Sequence, residues 1–321
     1  MSTAKNIREL YIMPFDHRAS FQEKLFGIRG RKPTEGETAE IASYKEIIYQ
    51  GFLKAVARGV PHDQAAVLTD EQFGSQVLAE AHAAGFTTAC PAEKSGQDEF
   101  DFEYGKEFGA HIEKMNPTFV KVLVRYNPEG DIGMNRAQRE RLRVLSNYCQ
   151  ANLHEFLFEL LVPATPRQLA QVGQDTHRYD RELRPALMVR TIAELQNGGI
   201  EPDIWKVEGL DTVDNCKRIV AVARNIPARD DVGVIVLGRG AGDEQVRHWL
   251  KTAAKVPGFV GFAVGRTIFW EPLKALREKR QTRDAAIEQI AQNYKSYCDL
   301  WMDARQGSSI TSKEKPASRS L

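Results

Sequence analysis

Three strand-like segments of this 321-residue chain carry ionisable side chains where a purely structural strand would be apolar. Lys206 lies in Asp203-Ile204-Trp205-Lys206-Val207-Glu208, where a period of two puts Ile204, Lys206 and Glu208 on one face. A lysine there is costly to bury charged, and partial desolvation makes a neutral amine available as a nucleophile, which a Schiff-base lysine needs. Glu159 sits among bulky apolar residues in Glu155-Phe156-Leu157-Phe158-Glu159-Leu160-Leu161, so burial is expected to raise its pKa toward general acid/base work. Lys121 shares a face with Arg125 in Phe119-Val120-Lys121-Val122-Leu123-Val124-Arg125 and supplies an auxiliary cation. A buried structural ion-pair network would use the same residue types. Three such groups on three strands favour chemistry.

The elements that must hold them follow from alternation. β-branched or aromatic runs at 10–15, 66–69, 87–90, 119–126, 155–162, 204–208, 233–237 and 259–264 are separated by amphipathic stretches, among them 40–58, 71–84, 136–152, 181–197, 212–224 and 243–255. Eight such units predict a closed (β/α)8 TIM barrel, an α/β fold, over residues 1–305, with an additional C-terminal helix at 282–304. Residues 306–321 read as a disordered tail and 29–36 as a loop after strand one. In such a barrel the active groups project from the C-terminal strand ends. Strands seven and eight end in glycine turns, Leu237-Gly238-Arg239-Gly240-Ala241-Gly242 and Val264-Gly265-Arg266-Thr267. Glycine lets the backbone approach an anion and arginine adds forked hydrogen bonds, so Gly238, Arg239, Gly240, Gly265 and Arg266 are candidate phosphate ligands.

Composition removes other classes. With 44 Lys plus Arg against 43 Asp plus Glu, there is no positive footprint for nucleic acid, and no run is apolar enough to cross a membrane. Four scattered cysteines without a CxxC pair or a secretory leader read as reduced thiols, hence a cytoplasmic protein. The seven histidines do not converge as metal ligands, and only His17, after strand one, is well placed. No HExxH, P-loop, GxSxG or Rossmann glycine fingerprint occurs, so no metal and no cofactor is expected.

Pro14-Phe15-Asp16-His17-Arg18, Ala92-Glu93-Lys94-Ser95-Gly96, Phe119-Val120-Lys121-Val122-Leu123, Phe156-Leu157-Phe158-Glu159, Ile204-Trp205-Lys206-Val207-Glu208 and Gly261-Phe262-Ala263-Val264-Gly265-Arg266 resemble, in that order, strand-end motifs of class I sugar-phosphate aldolases of the tagatose-bisphosphate and sulfofructose-phosphate type. The opening Leu-Tyr-Ile-Met-Pro-Phe-Asp-His-Arg is closer to the 2-deoxy-5-keto-gluconate-6-phosphate aldolase branch of myo-inositol catabolism. The resemblance implies Lys206 as Schiff-base lysine, Glu159 as acid/base, Lys121 as their catalytic partner, and Asp16, His17, Arg18, Lys94 and Arg125 around the substrate. It also implies Gly265 and Arg266 at the phosphate. The implied ligand is a small sugar phosphate, handled by a homo-oligomer linked in function to a sugar kinase that this chain does not contain. Where tagatose-type enzymes carry a Ser-Ala-Gly-like turn, this sequence has Gly238-Arg239-Gly240, and His17 replaces a glutamine, so a more anionic ketose phosphate remains open beside the tagatose and sulfofructose types. Arg18, Arg29 and Arg125 are the alternatives for its non-phosphate end. From another class, a non-catalytic barrel that binds a sugar phosphate as a sensor would keep the same phosphate turns.

Overall fold

The computed structural model describes residues 8–313, with side chains to 307. Eight parallel strands close in sequence order into one barrel: β1 (Leu10–Pro14), β2 (Ala65–Leu68), β3 (Thr87–Pro91), β4 (Phe119–Arg125), β5 (Glu155–Leu161), β6 (Ile204–Glu208), β7 (Gly233–Leu237) and β8 (Phe259–Ala263). The crossover helices form the outer ring: α1 (Glu35–Val56), α2 (Glu71–Ala83), α3 (Phe108–Met115), α4 (Ile132–Ala151), α5 (Arg184–Asn197), α6 (Val213–Ala223), α7 (Asp243–Ala254) and α8 (Arg266–Arg277). The (β/α)8 barrel expected from alternation is the fold.

Helix starts differ from the sequence expectation where a cap sets them. Thr34 and Glu37 form a reciprocal capping box, so α1 begins at Glu35, inside the stretch expected as a loop. Asp131 accepts from the Met134 N–H and starts α4 ahead of its first apolar turn. The final helix, α9, runs from Arg283 to Lys313 and so passes through the first half of the expected tail. No proline interrupts it before Pro316, and helix propagation is cooperative. The rest of that tail lies outside the described residues. The Ile290, Tyr294 and Trp301 side chains of α9 are fully buried, with α1, α8 and α7 as the helix's main neighbours. Any self-association through α9 would therefore have to use its polar side.

Strand period separates two cores. Tyr11, Met13, Val120, Phe156, Trp205, Val234 and Phe262 point outward and pack beneath the helices. Leu10, Ile12, Leu68, Ala89, Phe119, Leu157, Ile204 and Ile235 fill the barrel interior as an apolar plug. The next inward positions toward the strands' C-terminal ends are Lys121, Glu159 and Lys206, so the charges sit on top of the plug.

Closure presses the β8 backbone against β1 most tightly at Gly261. Leu10 pairs with Gly261 across the β1–β8 seam, Gly261 has φ +150°, and a Cβ there would lie 1.9 Å from the Leu10 carbonyl oxygen. Replacement Gly261→Ala should cost about 3 kcal/mol or more in urea unfolding, because backbone rather than a movable side chain must give way. A variant as stable as its parent would mean that the seam can open to admit a methyl group.

Candidate active site

The inward residues of β4, β5 and β6 meet because of register. Glu159 and Lys206 are Cα partners on β5 and β6, while Lys121 partners Leu157, one inward step below Glu159. Lys206 Nζ lies 2.9 Å from Glu159 Oε2, and Lys121 Nζ approaches the same oxygen from the other side at 3.1 Å. Lys121 also donates to Asp16 Oδ2 at 2.8 Å and to Glu93 Oε1 at 2.7 Å. Asp16 comes from the turn after β1 and Glu93 from the turn after β3.

These groups line the floor of a cavity of about 290 Å³ at the C-terminal mouth of the barrel. His17, Arg18, Lys94, Arg125, Gly238, Arg239, Gly240, Gly265 and Arg266 also line it, so the residues singled out from the sequence, Arg29 excepted, reach one cavity. Their freedom differs. Arg18 is buried, donates to Glu103 and to the Glu93 carbonyl, and is committed to holding the β3 turn. Arg239, in left-handed backbone at φ +51°, pairs with Asp180 at 2.6 Å and Glu208 at 3.0 Å. Arg266 has no carboxylate partner among the described residues, and its guanidinium lies where a Cβ on Gly240 would be 2.7 Å from Nη2. Gly240 thus leaves room for that guanidinium beside the β7 turn. Arg29 is exposed and outside the cavity lining. Arg125 Nη1 donates to the Gln97 carbonyl at 2.7 Å, and Lys94 is exposed at the same rim.

Sequence reasoning gave no role to Glu93, Ser20, Ser95, Gln97 or Thr267, which also line the cavity. Glu93 carried a readable signal, a carboxylate two residues beyond an apolar strand; the others are ordinary loop residues brought there by the fold.

Glu159 corrects the expectation from its apolar neighbours. Burial alone would raise its pKa, but Lys206 and Lys121 outweigh burial and hold it below the usual glutamate range. Burial likewise works against Asp16, and Lys121, His17 and Lys206 together hold it far below the ordinary value. Burial would lower the Lys121 ammonium, yet Asp16, Glu93 and Glu159 keep its pKa well above the lysine norm. Lys121 is therefore a permanent cation. His17 is pushed from 6.5 down to about 4 by burial, which Asp16 opposes and Arg266 and Lys206 reinforce. Among the described residues no group of three His, Cys, Asp or Glu side chains is placed to hold a metal ion. No helix of the described chain is long and apolar enough to cross a membrane.

The chain belongs to the family described as an uncharacterized protein conserved in bacteria (DUF2090), whose model matches residues 1–305. Among solved structures it is similar to fructose-bisphosphate aldolase from Plasmodium falciparum in complex with TRAP and a small-molecule inhibitor, at 13% identity, TM-score 0.67, and 93% of this chain over 92% of that one. An archaeal fructose 1,6-bisphosphate aldolase matches at 11% identity and TM-score 0.57, over 92% and 94% of the two chains. A Corynebacterium glutamicum protein matches at 14% identity and TM-score 0.53, over 91% and 88%. At these identities the likeness is one of fold. No curated protein matches the sequence.

Because His17 titrates lower in the folded chain than its ordinary 6.5, the unfolded state binds more protons at this site between pH 6.5 and about 4, and the His17 contribution to stability should fall as pH falls through that window. Asp16 and Glu159, held low when folded, add a further loss once pH drops below the unfolded carboxylate range. His17→Asn should remove the first part and leave the second in thermal unfolding followed across pH. Unchanged acid sensitivity above pH 5 in that variant would contradict the assignment.

Proposed function

We propose that this protein is a class I aldolase that cleaves a ketose phosphate through a Schiff base on Lys206. Its substrate in this reading is 2-deoxy-5-keto-D-gluconate 6-phosphate, and its products are dihydroxyacetone phosphate and malonate semialdehyde. One observation carries the reading: a single carboxylate oxygen, Glu159 Oε2, lies between two buried lysine amines on the floor of a barrel-mouth cavity. It is supported by the strand-end motifs and by two similar folds whose names are fructose-bisphosphate aldolases.

The proton inventory closes on this chain's own groups. Glu159 takes a proton from the Lys206 ammonium, the free amine adds to the C5 ketone, and the same proton returns to the carbinolamine hydroxyl, which leaves as water. Ammonium plus ketone have become iminium plus water, with charge conserved. Glu159, again a carboxylate, removes the C3 hydroxyl proton as the C3–C4 bond breaks and its electron pair moves into the iminium. Malonate semialdehyde departs, Glu159 returns its proton to C4 of the enamine, and water hydrolyses the iminium to release dihydroxyacetone phosphate. Lys121 remains charged throughout and offsets negative charge at Glu159 and at the developing C3 alkoxide.

The substrate is anionic at both ends, and the cavity offers cations on opposite sides, among them Arg125, whose carboxylate contact with exposed Asp98 is long at 3.9 Å. Arg266, beside the glycine turns of β7 and β8, takes the phosphate. Arg18 is committed elsewhere and Arg29 lies outside, which leaves Arg125 and Lys94 on the β4 and β3 side for the carboxylate.

Borohydride reduction in the presence of dihydroxyacetone phosphate, followed by peptide mass mapping, should leave the adduct on Lys206. Lys206→Met should abolish both adduct and turnover with the fold intact, whereas Glu159→Gln should keep the adduct and lose about 10²- to 10⁴-fold in cleavage rate. An active Lys206→Met variant, or an adduct on Lys121 or Lys94, would remove the reading. Arg266→Ala should raise KM about ten- to a hundredfold for the phosphorylated substrate, and Arg125→Ala should discriminate against substrates with a distal carboxylate. Unchanged KM in either variant would dismiss that contact.

A further inference from the structure

Lys121 Nζ gathers three carboxylates: Asp16 at 2.8 Å, Glu93 at 2.7 Å and Glu159 at 3.1 Å. Its ammonium donates to Asp16 and Glu93 and pairs electrostatically with Glu159, so one cation is shared among three carboxylates. Lys206, on Glu159, is the other lysine in the group. Arg18 lies close to Glu93 but donates to its main-chain carbonyl, and the Arg18 charge is matched by Glu103. Three carboxylates thus face two ammonium groups, with all five side chains at most a tenth exposed. An uncompensated buried negative charge is costly, and the available remedy is a proton on one carboxyl group.

The contacts select which one. Glu159 touches both ammonium groups, and Asp16 has Lys121 on one oxygen and the His17 ring 3.9 Å from the other. Glu93 uses Oε1 alone, and its Oε2 is buried with no hydrogen-bond partner. We propose that Glu93 is held as a neutral carboxylic acid, and that in this form it is the positioning residue that centres charged Lys121 between Asp16 and Glu159. Its Oε1 accepts from Lys121 as a carbonyl would, without drawing the ammonium away from the carboxylate that works on substrate.

Titration of the cluster points the same way. Burial, reinforced by Asp16, raises the Glu93 pKa above the glutamate norm against the pull of Lys121 and Arg18, whereas Asp16 and Glu159 are held below theirs. The charged groups facing Glu93 are Lys121 from β4 with Asp16 and Arg18 from the turn after β1, and on the preceding strand, β3, the buried Cys90 thiol, pushed up by burial, is neutral.

The effect on turnover rests on the aldolase reading; the protonation state does not, so the test reads both. Infrared difference spectra of the full-length protein at pH 7, wild type minus Glu93→Gln, should contain the carbonyl stretch of a protonated carboxyl that shifts on deuteration. Glu93→Gln, an isostere of the neutral acid, should keep kcat within about threefold and preserve borohydride trapping on Lys206, while Glu93→Leu should lose about a hundredfold in kcat with KM nearly unchanged. On the alkaline side, wild type should lose activity as Glu93 ionises, and Glu93→Gln should lack that limb. A wild-type spectrum without a protonated-carboxyl band at pH 7 overturns the proposal even if the variants fail to fold, and so does a folded Glu93→Gln that loses more than about tenfold. Absence of any trapped imine in wild type sinks the aldolase reading instead, with the infrared band still deciding the state of Glu93.

Discussion

The cavity is organised by one oxygen. Glu159 Oε2 pairs with the Lys121 and Lys206 ammonium groups at once, at 3.1 and 2.9 Å, and its charge offsets their mutual repulsion. That arrangement requires β4, β5 and β6 to hold their register to within a fraction of a residue, because a slip of one would turn each charge outward under the helices. Register in turn requires closure, and closure requires the β1–β8 seam at which Gly261 meets the Leu10 carbonyl. The chemistry at the mouth and the glycine near the base of the seam belong to one constraint.

Energetically the plug and the charges depend on each other. Leu157 and Ile204, beneath Glu159 and Lys206, exclude water and lower the local dielectric, which strengthens the ion pairs and raises the cost of breaking them. Removing one partner would strand the others. Stability therefore favours a cluster that is balanced in charge, and the proposed reaction would keep that balance because a proton moved between Glu159 and Lys206 stays inside it. A second buried pair, Lys45 with Asp70, lies outside the cavity; Asp70 also caps α2 through the Phe73 N–H, which gives that pair a structural task.

The barrel was legible because its signal is local: a period of two within each strand, loop residues between units, and repetition eight times. The inward identity of Lys121, Glu159 and Lys206 follows from the same period. What single-strand reading could not supply was the identity of cross-strand neighbours. Glu159 sits among Phe158, Leu160 and Leu161 along the chain, which suggests a raised pKa, yet its decisive neighbours are lysines 38 residues before and 47 after it. The glycine turn makes Arg239 a candidate phosphate ligand, while its carboxylate partners are Asp180 in the loop after β5 and Glu208 on β6. Glu93 was visible in the text, but its importance depends on the number of carboxylates that share Lys121, and that number exists only in three dimensions.

The order of strands around the barrel also bears on how a substrate would lie. Starting from the β7 and β8 turns and moving through β6 and β5 to β4, the cavity presents Arg266, then Lys206, then Glu159, then Arg125. The substrate proposed above, a 5-keto sugar acid phosphorylated at C6, would present the matching sequence of needs: an anion, a ketone one carbon away, a hydroxyl two carbons beyond the ketone, and a second anion at the far end. A substrate lying along that arc would meet each group once without folding back. Leu123 and Leu161 stand between the floor charges and Arg125, and they suit the unsubstituted C2 methylene better than a hydroxyl that would need a partner there. In the proposed reading, selectivity for the deoxy acid would come from an apolar step in the wall as much as from the arginine above it.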